Sequence, residues 1–427
     1  MKNFSVKSRR RLLNRSISIL RYCGVFDSDP SVTMFRKILI YSIIIFSHSM
    51  TIIYGLTIVA DAVVNCTDLM IIAYDGAIIA GWILIYFKIQ ISHSMRKKIL
   101  KLIDDIRDPI DILTQSCDLG VLIVVKEYTI FEKIDFYLTI SCAGLLGTVL
   151  ITLSAIAGDL PCRAIFPFDT TISPFFEIAY FIQSYATTFN LVSLSALEFI
   201  SLEFLRWMTV QFKILSSNYQ NCTSKLHKPA MYNHDIVNGI TVFNVLKIDD
   251  EQKAISSFTA FEENEIGKIK NGFTWRFQTC VRHHWRLIRI LNELNDTFSA
   301  CLFAQLGEEH FGRIFHWNFD HQFSDNKPML MRAIIYLSGG FLQLLYWCAL
   351  GNELKYQADN LTTSQWMSGW ENNYHGGINN LVTTAMIKTM QPLEMRAGGL
   401  FALKMETFIS ILKSSYSVFV LMTTVSG

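Results

Sequence analysis

Long apolar stretches separated by polar connections run through the whole chain. A helix needs about 20 predominantly apolar residues to cross the hydrocarbon core of a bilayer. Apolar stretches lie, in chain order, at residues 38–60, 68–86, 134–157, 173–205, 297–306, 328–349 and 407–425. All but residues 297–306, which reach only about half this length, meet or approach it. The pattern predicts an all-α membrane protein with seven transmembrane helices.

Two regions fit this pattern poorly. The fifth stretch, residues 297–306, runs directly into a polar segment that contains Glu308, Glu309, Arg313 and Asp320. These charges are costly in lipid unless they face a cavity or a partner, and we interpret the segment as an altered or alternatively spliced one. The polar residues 218–278 are long for a connection, and their DDEQK and FEENEIGKIK runs predict a solvated, disordered segment.

Composition supports a polytopic membrane protein. The 427 residues are 51% hydrophobic and only 17% charged, whereas soluble domains carry about 25% charged residues. The N-terminus shows no cleavable signal peptide. The nine cysteines lack CxxC spacing and predict neither a zinc site nor a disulfide framework. Cys66 and Cys162 both fall in predicted outer loops, where a disulfide and two free thiols are equally compatible with the sequence.

Lysine and arginine alternate between the connections. Residues 1–37, 88–133 and 206–289 are rich in both, whereas residues 61–67 contain neither and residues 158–172 contain Arg163 alone. The positive-inside rule therefore predicts a cytoplasmic N-terminus, and seven helices then place the C-terminus outside. A G-protein-coupled receptor has the opposite orientation.

The last helix has one face of small hydroxyls and branched apolar side chains. At 100° per residue, Ser417, Leu421, Thr424 and Val425 fall within one arc of roughly 100°. Such a face suits a narrow pore that closes by dewetting. Ordinary packing explains it equally well, because serine and threonine bond back to helical carbonyls. The helix alone favours ordinary packing.

The C-terminal motif changes this interpretation. MQPLEMRAGGLF followed by ILKSSYSVFVLM closely resembles the C-terminal signature of the insect odorant receptors. YWCALGNEL, CVRHHWRLIRILNELNDTFS and FPFDTTISPFFEIAYFIQ resemble the sixth helix, the approach to the fifth and the start of the fourth in that family. The resemblance implies a seven-helix subunit of a tetrameric, odorant-gated, non-selective cation channel whose last helix lines the pore.

The resemblance also implies partners and a location. It predicts a small volatile odorant as ligand, assembly with an olfactory coreceptor subunit or with itself, contact with membrane lipid, and no nucleic acid. It favours an odour-tuning subunit over the coreceptor, in the plasma membrane of a sensory neuron dendrite. Neither a cofactor nor a metal is expected, and no nucleophile or acid–base constellation points to an enzyme.

Three alternatives remain open at this stage. A chemoreceptor of the G-protein-coupled type would have no pore of its own. A gustatory-receptor-like channel usually ends in Thr-Tyr followed five residues later by Gln-Phe, which Ser415-Tyr416 lacks. A transporter tends to show internal repeats, and none is visible.

The resemblance further implies a ligand pocket between the second, third, fourth and sixth helices. The residues that it suggests as ligand contacts are Ile83, Tyr86, Phe87, Ser141, Gly144, Thr148, Tyr185, Thr188, Val192, Gln343 and Tyr346. Aromatic residues in such a pocket enclose a small apolar ligand. The alternative is that these residues only pack helix against helix.

The predicted organisation follows from these assignments. Its parts are a cytoplasmic N-terminal segment (1–37), helices one to four with the ligand pocket (38–205), a cytoplasmic loop and helical extension (206–296), helices five and six (297–354), a cytoplasmic anchor (355–406) and the pore-lining helix (407–427). Within the anchor, Glu394 and Arg396 pair across subunits or remain solvated. His283 and His284 point apart on a helix and predict local packing, not chelation. His310, His316 and His321 match no known metal-ligand spacing.

Overall fold

The computed structural model describes residues 11–27, 33–67, 69–116, 118–223, 239–251, 253–266, 272–322, 327–373 and 377–426. Within these ranges the chain is built from helices and one small hairpin. The helices are α1 (Arg11–Tyr22), α2 (Met34–Val64), α3 (Leu69–Ser94), α4 (Arg96–Leu113), α5 (Leu119–Ala157), α6 (Phe175–Gln220), α7 (Val242–Val245), α8 (Glu263–Ile266), α9 (Phe273–Gln322), α10 (Lys327–Trp366), α11 (Ile378–Thr389) and α12 (Met405–Ser426), and the hairpin strands are β1 (Arg396–Ala397) and β2 (Phe401–Ala402).

Four helices of the described part are long and apolar enough to cross a membrane. They are α2, residues Tyr74–Ser94 of α3, residues Leu119–Ile156 of α5, and α6. These are the first four predicted spans, and α3, α5 and α6 all continue well beyond the predicted boundaries. Local apolarity marks where a helix can lie in lipid, but the helices also extend into polar sequence that packs against other helices.

Helix α6 lies at the centre of the molecule. It contacts α1, α2, α3, α4, α5, α9 and α10. In its second half, Leu205, Met208, Phe212 and Leu215 are fully buried. This half of α6 is buried on every side because the other helices surround it, and its polar residues Glu203, Arg206 and Gln211 are buried as well.

Helix α4 is amphipathic and covers one side of this core. Its buried residues Ile99, Leu102, Ile106 and Ile110 recur at helical spacing, whereas its lysines face outward. The helix contacts α5, α6 and α9, so the basic segment after the second span is a packed helix and not a loose loop.

Helix α9 is continuous from Phe273 to Gln322, a length of about 75 Å at 1.5 Å per residue. The polar segment that interrupted the fifth predicted span is therefore helical as far as Gln322. The side chains of residues 308–322, which include Glu308, Glu309, Arg313 and Asp320, lie outside the described part, as do the side chains of His310, His316 and His321.

The prediction of a disordered loop is wrong for much of residues 239–266. Phe261 and Glu265 are 1% exposed, although both belong to the FEENEIGKIK run. The Asp118 carboxylate, which caps α5, also accepts hydrogen bonds from the backbone amides of Ser256 and Ser257 at 2.9 and 2.8 Å. The run of charges predicted solvation here. Instead, Asp118, which is distant in sequence, holds this segment against the start of α5. Residues 224–238 and 267–271 lie outside the described residues.

Candidate functional site

Two tyrosines of the predicted ligand set face α2, the first of the predicted membrane spans. The Tyr86 hydroxyl on α3 lies 3.2 Å from Nδ1 of His48 on α2, and the two rings are 5.7 Å apart. The Tyr185 hydroxyl on α6 lies 2.8 Å from the Ser47 hydroxyl, also on α2. With Phe189 5.6 Å from His48, these rings form an aromatic cluster between α2, α3 and α6.

Most other members of the predicted ligand set are accessible. Ile83, Phe87 and Val192 are exposed, as are Ser141, Gly144, Thr148 and Thr188. The hydroxyls of Thr148 and Thr188 bond back to the carbonyls of Gly144 and Ser184 at 2.7 and 2.8 Å. Gln343 is half-buried. Neither principal cavity of the described part unites this set.

Tyr346 belongs to a buried ionic network. Its hydroxyl accepts a hydrogen bond from the Arg206 guanidinium. The same guanidinium bonds Glu203 at 2.8 Å and lies 3.3 Å from the Asp135 carboxylate. All three charged side chains are at least nine-tenths buried. The network joins α5, α6 and α10, so Tyr346 connects the predicted pocket wall to charges deeper in the bundle.

A second buried network was not predicted. The Lys88 ammonium on α3 donates to both Glu198 on α6 and Gln305 on α9. The other Glu198 oxygen accepts a hydrogen bond from the Trp347 indole on α10 at 2.6 Å. Four helices thus meet at one ion pair. A buried charge persists when it is paired and hydrogen-bonded, and Lys88 meets both conditions.

The positive-inside count needs a correction as a result. Lys88 and Arg206 were counted with basic connections, but both are buried inside the helical bundle. The remaining lysines and arginines still separate rich connections from poor ones. The sequence did contain a sign of this pairing. Glu198 and Glu203 both lie within the apolar stretch of α6, and an ionisable residue in such a stretch indicates a buried partner.

The C-terminal motif folds into a clamp between α9 and α10. Strands β1 and β2 pair antiparallel, with Gly398 and Gly399 at positive φ in the turn. The amide of Gly398 donates to the carbonyl of Ser299 on α9 at 2.9 Å. On the other side, a Cβ added to Gly351 of α10 would lie 2.2 Å from the Leu403 carbonyl oxygen. Close approach of two backbones therefore requires this glycine.

Charged groups of the anchor pair within one chain. The Glu394 carboxylate accepts hydrogen bonds from Lys355 at 2.7 Å and from Arg396 at 3.4 Å. Burial raises the pKa of Glu394, but the hydrogen bond and charge of Lys355 outweigh it and leave that pKa below its usual value. The side-chain amide of Asn295 ties α9 to the same turn, because its nitrogen donates to the Glu394 carbonyl at 3.0 Å and its oxygen accepts from the Arg396 backbone amide at 2.8 Å. Within one chain, Glu394 is therefore paired with Lys355 and Arg396, whereas the Arg396 side chain stays partly exposed to solvent.

The last helix, α12, contacts α9 and α10. Ser417 is exposed, and its hydroxyl bonds back to the Lys413 carbonyl at 2.9 Å. The helix continues to Ser426, but the side chains of Leu421, Thr424 and Val425 lie outside the described part. Tyr416 and Val420 expose apolar surface, which a single chain leaves uncovered.

Most of the described cysteines, together with His283 and His284, are buried in the packing of the helices. Cys66 and Cys162 are not joined in a disulfide, and the Cys162 sulfur lies 3.3 Å from the Tyr54 hydroxyl. His283 and His284 are both 1% exposed, and Nε2 of His283 lies 2.8 Å from the Glu265 carboxylate. Among the described residues, no group of three or more candidate ligands is arranged to hold a metal ion.

Three comparisons place this architecture among known proteins. The family model described as 7tm Odorant receptor matches residues 75–416. Odorant receptor 10 of Aedes albopictus is 23% identical over 189 residues, which make up 43% of this chain and 48% of that relative. The matched stretch thus spans about half the length of the relative.

Solved structures share the fold over nearly the whole chain. The insect olfactory receptor OR5 from Machilis hrabei has a TM-score of 0.73 at 12% identity, covering 97% of this chain and 98% of that one. OR5 in complex with eugenol gives a TM-score of 0.71 with the same coverage. Since the family model covers most of the sequence, the chain belongs to the insect odorant receptor family, whose members are multi-pass membrane receptors of olfaction and not enzymes.

Proposed function

We propose that the chain is the odour-tuning subunit of an odorant-gated, non-selective cation channel. The observation that carries the proposal is the fold, which matches OR5 in complex with eugenol over 97% of the chain. In this proposal a small volatile ligand binds within the transmembrane bundle, and four subunits surround a pore lined by α12. The other subunits are copies of this chain or of an olfactory coreceptor.

The proposed orientation has a cytoplasmic N-terminus and seven spans in the plasma membrane of a sensory neuron dendrite. Basic residues that are exposed, such as Lys97 on α4 and Lys133 on α5, support a cytoplasmic location for the basic connections. The hairpin clamp then lies at the cytoplasmic end of the bundle. Asn65 becomes the only extracellular glycosylation sequon in this topology.

The proposed ligand set remains the one suggested by the sequence. Its accessible members, such as Ile83, Phe87, Thr188 and Val192, offer apolar and hydroxyl contacts to a ligand that enters from the membrane side. The aromatic cluster around His48 lies behind these residues, on the side of α2. Tyr346 then stands where ligand contact and the buried ionic networks meet.

The proposed gating route follows the packed contacts. A ligand that moves α10 changes the surroundings of Tyr346 and Trp347, and the clamp at Gly351 passes this movement to the hairpin and α12. Ligand binding opens the pore only by favouring the open arrangement through differential affinity. The dense backbone contact at Gly351 makes independent movement of α10 and the hairpin costly.

The gate provides the test. Val425 and Leu421 lie one turn apart on the outward end of α12, and Lys413 lies twelve residues lower, about 18 Å along the axis. If these apolar side chains exclude water, Val425→Ser should raise the odorant-independent cation current. The measurement is whole-cell current without ligand, with and without the coreceptor, at matched surface expression.

Val420→Ser is the matched control, because Val420 points about 140° away from Val425 on the same helix. It should leave the resting current unchanged. Unaltered current and ion preference in the Val425, Leu421 and Thr424 variants alike would show that α12 does not line the gate.

A further inference from the structure

An open groove of about 610 Å³ runs along the outside of α5, away from the predicted ligand set for most of its length. Residues of α5 and of the segment that leads into α7 form its walls: Lys126, Ile130, Lys133, Ile134, Tyr137, Leu138, Ser141, Ile240, Thr241 and Val242. The α5 members recur at helical spacing and span about 22 Å of the helix axis. They form one continuous stripe.

Charge changes along this stripe. Lys126 and Lys133 lie toward the start of α5, whereas Ile134 and Leu138 lie further along. The exposed guanidinium of Arg15 donates a hydrogen bond to the Tyr137 hydroxyl at 3.0 Å and adds a third positive charge next to the groove. None of the described lining residues carries a carboxylate. One end of the groove therefore attracts an anion and the other offers apolar surface.

The opposite wall presents unusual apolar exposure. Ile240 and Val245 pack on Ile123 and Ile130 of α5 and thereby fix this segment against the helix. Phe243 and Leu246 point away from that contact and are 78% and 73% exposed. Large apolar side chains at the edge of a membrane helix are typical of segments that enter the boundary between headgroups and acyl chains.

We propose that this groove binds an anionic phospholipid of the leaflet on the side of the basic connections. Its phosphate lies near Lys126, Lys133 and Arg15, and an acyl chain follows Ile134 and Leu138. Phe243 and Leu246 enter the same leaflet beside it. The occupant is a phospholipid because the groove joins a cationic end to an apolar wall along the axis of a membrane-spanning helix, which is the order of charge and hydrocarbon in a lipid.

Native mass spectrometry of the full purified chain tests the proposal. Equal amounts of phosphatidylserine and phosphatidylcholine are added, and the retained adducts are compared. The wild-type chain should retain phosphatidylserine preferentially. Lys126→Gln with Lys133→Gln should lower the preference by roughly fivefold per lysine, since each positive charge near an anionic lipid contributes on this order. Lys97→Gln with Lys98→Gln makes the same charge change on α4, outside the groove, and should leave the preference intact.

Hydrogen exchange in nanodiscs tests the apolar wall separately. Residues 239–248 should exchange more slowly when phosphatidylserine is included than in phosphatidylcholine alone, and Phe243→Ser with Leu246→Ser should remove this protection. Both side chains are exposed, so this variant keeps the packing of Ile240 and Val245. Equal retention of the two lipids by the wild-type chain, or equal loss in both lysine pairs, would overturn the proposal.

Under the proposed orientation, the leaflet on the side of the basic connections is the cytoplasmic leaflet, but the binding measurement does not depend on that orientation. It needs neither odorant nor current. A reversed topology would appear as glycosylation that survives Asn65→Gln, while the preference for phosphatidylserine would persist. Failure of the channel proposal and failure of the lipid site are therefore separable.

Discussion

The neighbouring helices α5 and α6 show how this molecule distributes its polar groups. In the most apolar stretch of α5, 11% of the residues are buried, against 61% in α6. The more apolar helix is thus the more exposed one. Lipid tails are as apolar as leucine, so burial is not needed to satisfy α5. Polar and charged groups must instead face the interior, which explains why Glu198 and Glu203 lie on α6.

The largest expected effect comes from breaking the buried ion pair between Lys88 on α3 and Glu198 on α6. Lys88→Met leaves the Glu198 carboxylate buried with only the Trp347 indole, and we expect a loss of about 4 kcal/mol of stability. The measurement is thermal unfolding in detergent, followed by size-exclusion chromatography, together with surface expression.

Lys97→Met is the control for this prediction, because Lys97 is exposed on α4. The double variant Lys88→Met with Glu198→Met should recover much of the loss, since it removes both charges. Equal stability of Lys88→Met and Lys97→Met would show that the pair contributes nothing.

The next largest effect is a pH dependence of stability that comes from His284, in the part of α9 that precedes the predicted fifth span. Burial, with the nearby charge of Lys388, lowers the pKa of His284 to about 4. The unfolded chain therefore binds a proton between pH 6.5 and 4 that the folded chain does not. The free energy of unfolding is therefore unaffected by His284 above pH 6.5, and it falls by up to about 3 kcal/mol as the pH drops through this window.

His284→Gln should flatten the dependence of unfolding temperature on pH between 7 and 5. Glu265 does not produce this slope: burial raises its pKa, but the His283 hydrogen bond outweighs burial and leaves that pKa below its usual value. Its contribution is lost only at lower pH. An unchanged slope in His284→Gln would assign the effect to other groups.

A smaller effect is expected at the clamp. Gly351→Ala places a methyl group against the Leu403 carbonyl and should cost about 2 kcal/mol while loosening the hairpin. Gly339→Ala is the matched control, because a Cβ at Gly339 of the same helix meets nothing within 4 Å. Current recordings should show weaker odorant responses only for Gly351→Ala. Equal responses would remove the clamp from the gating route.

The smallest expected effect on stability separates two roles of Tyr346. Tyr346→Phe keeps the ring but removes the hydroxyl that bonds Arg206, at a cost of about 1 kcal/mol because Asp135 and Glu203 still pair with the arginine. If Tyr346 acts through the network, Tyr346→Phe and Tyr346→Ala should both shift the odorant dose–response curve. A shift with alanine alone would assign Tyr346 to the pocket wall.

Sequence by itself determined the architecture wherever the signal is local. Apolar length located α2, α3, α5 and α6, and the C-terminal motif pointed to the family before any fold was considered. The two glycines of that motif adopt positive φ angles in the hairpin turn, a conformation that glycine enters most readily. These features depend on neighbours in sequence, which a single chain displays directly.

Tertiary structure alone decided which polar groups meet. Lys88 and Glu198 are 110 residues apart, and Lys88 and Gln305 are 217 apart, so no local pattern pairs them. The same holds for Asp118 with Ser256 and for Ser47 with Tyr185. A charged side chain is stable either in water or buried with a partner, and which of the two has the lower free energy depends on its surroundings in the fold. For this reason Lys88 and Arg206, which the sequence assigned to basic connections, are buried in the interior of the bundle.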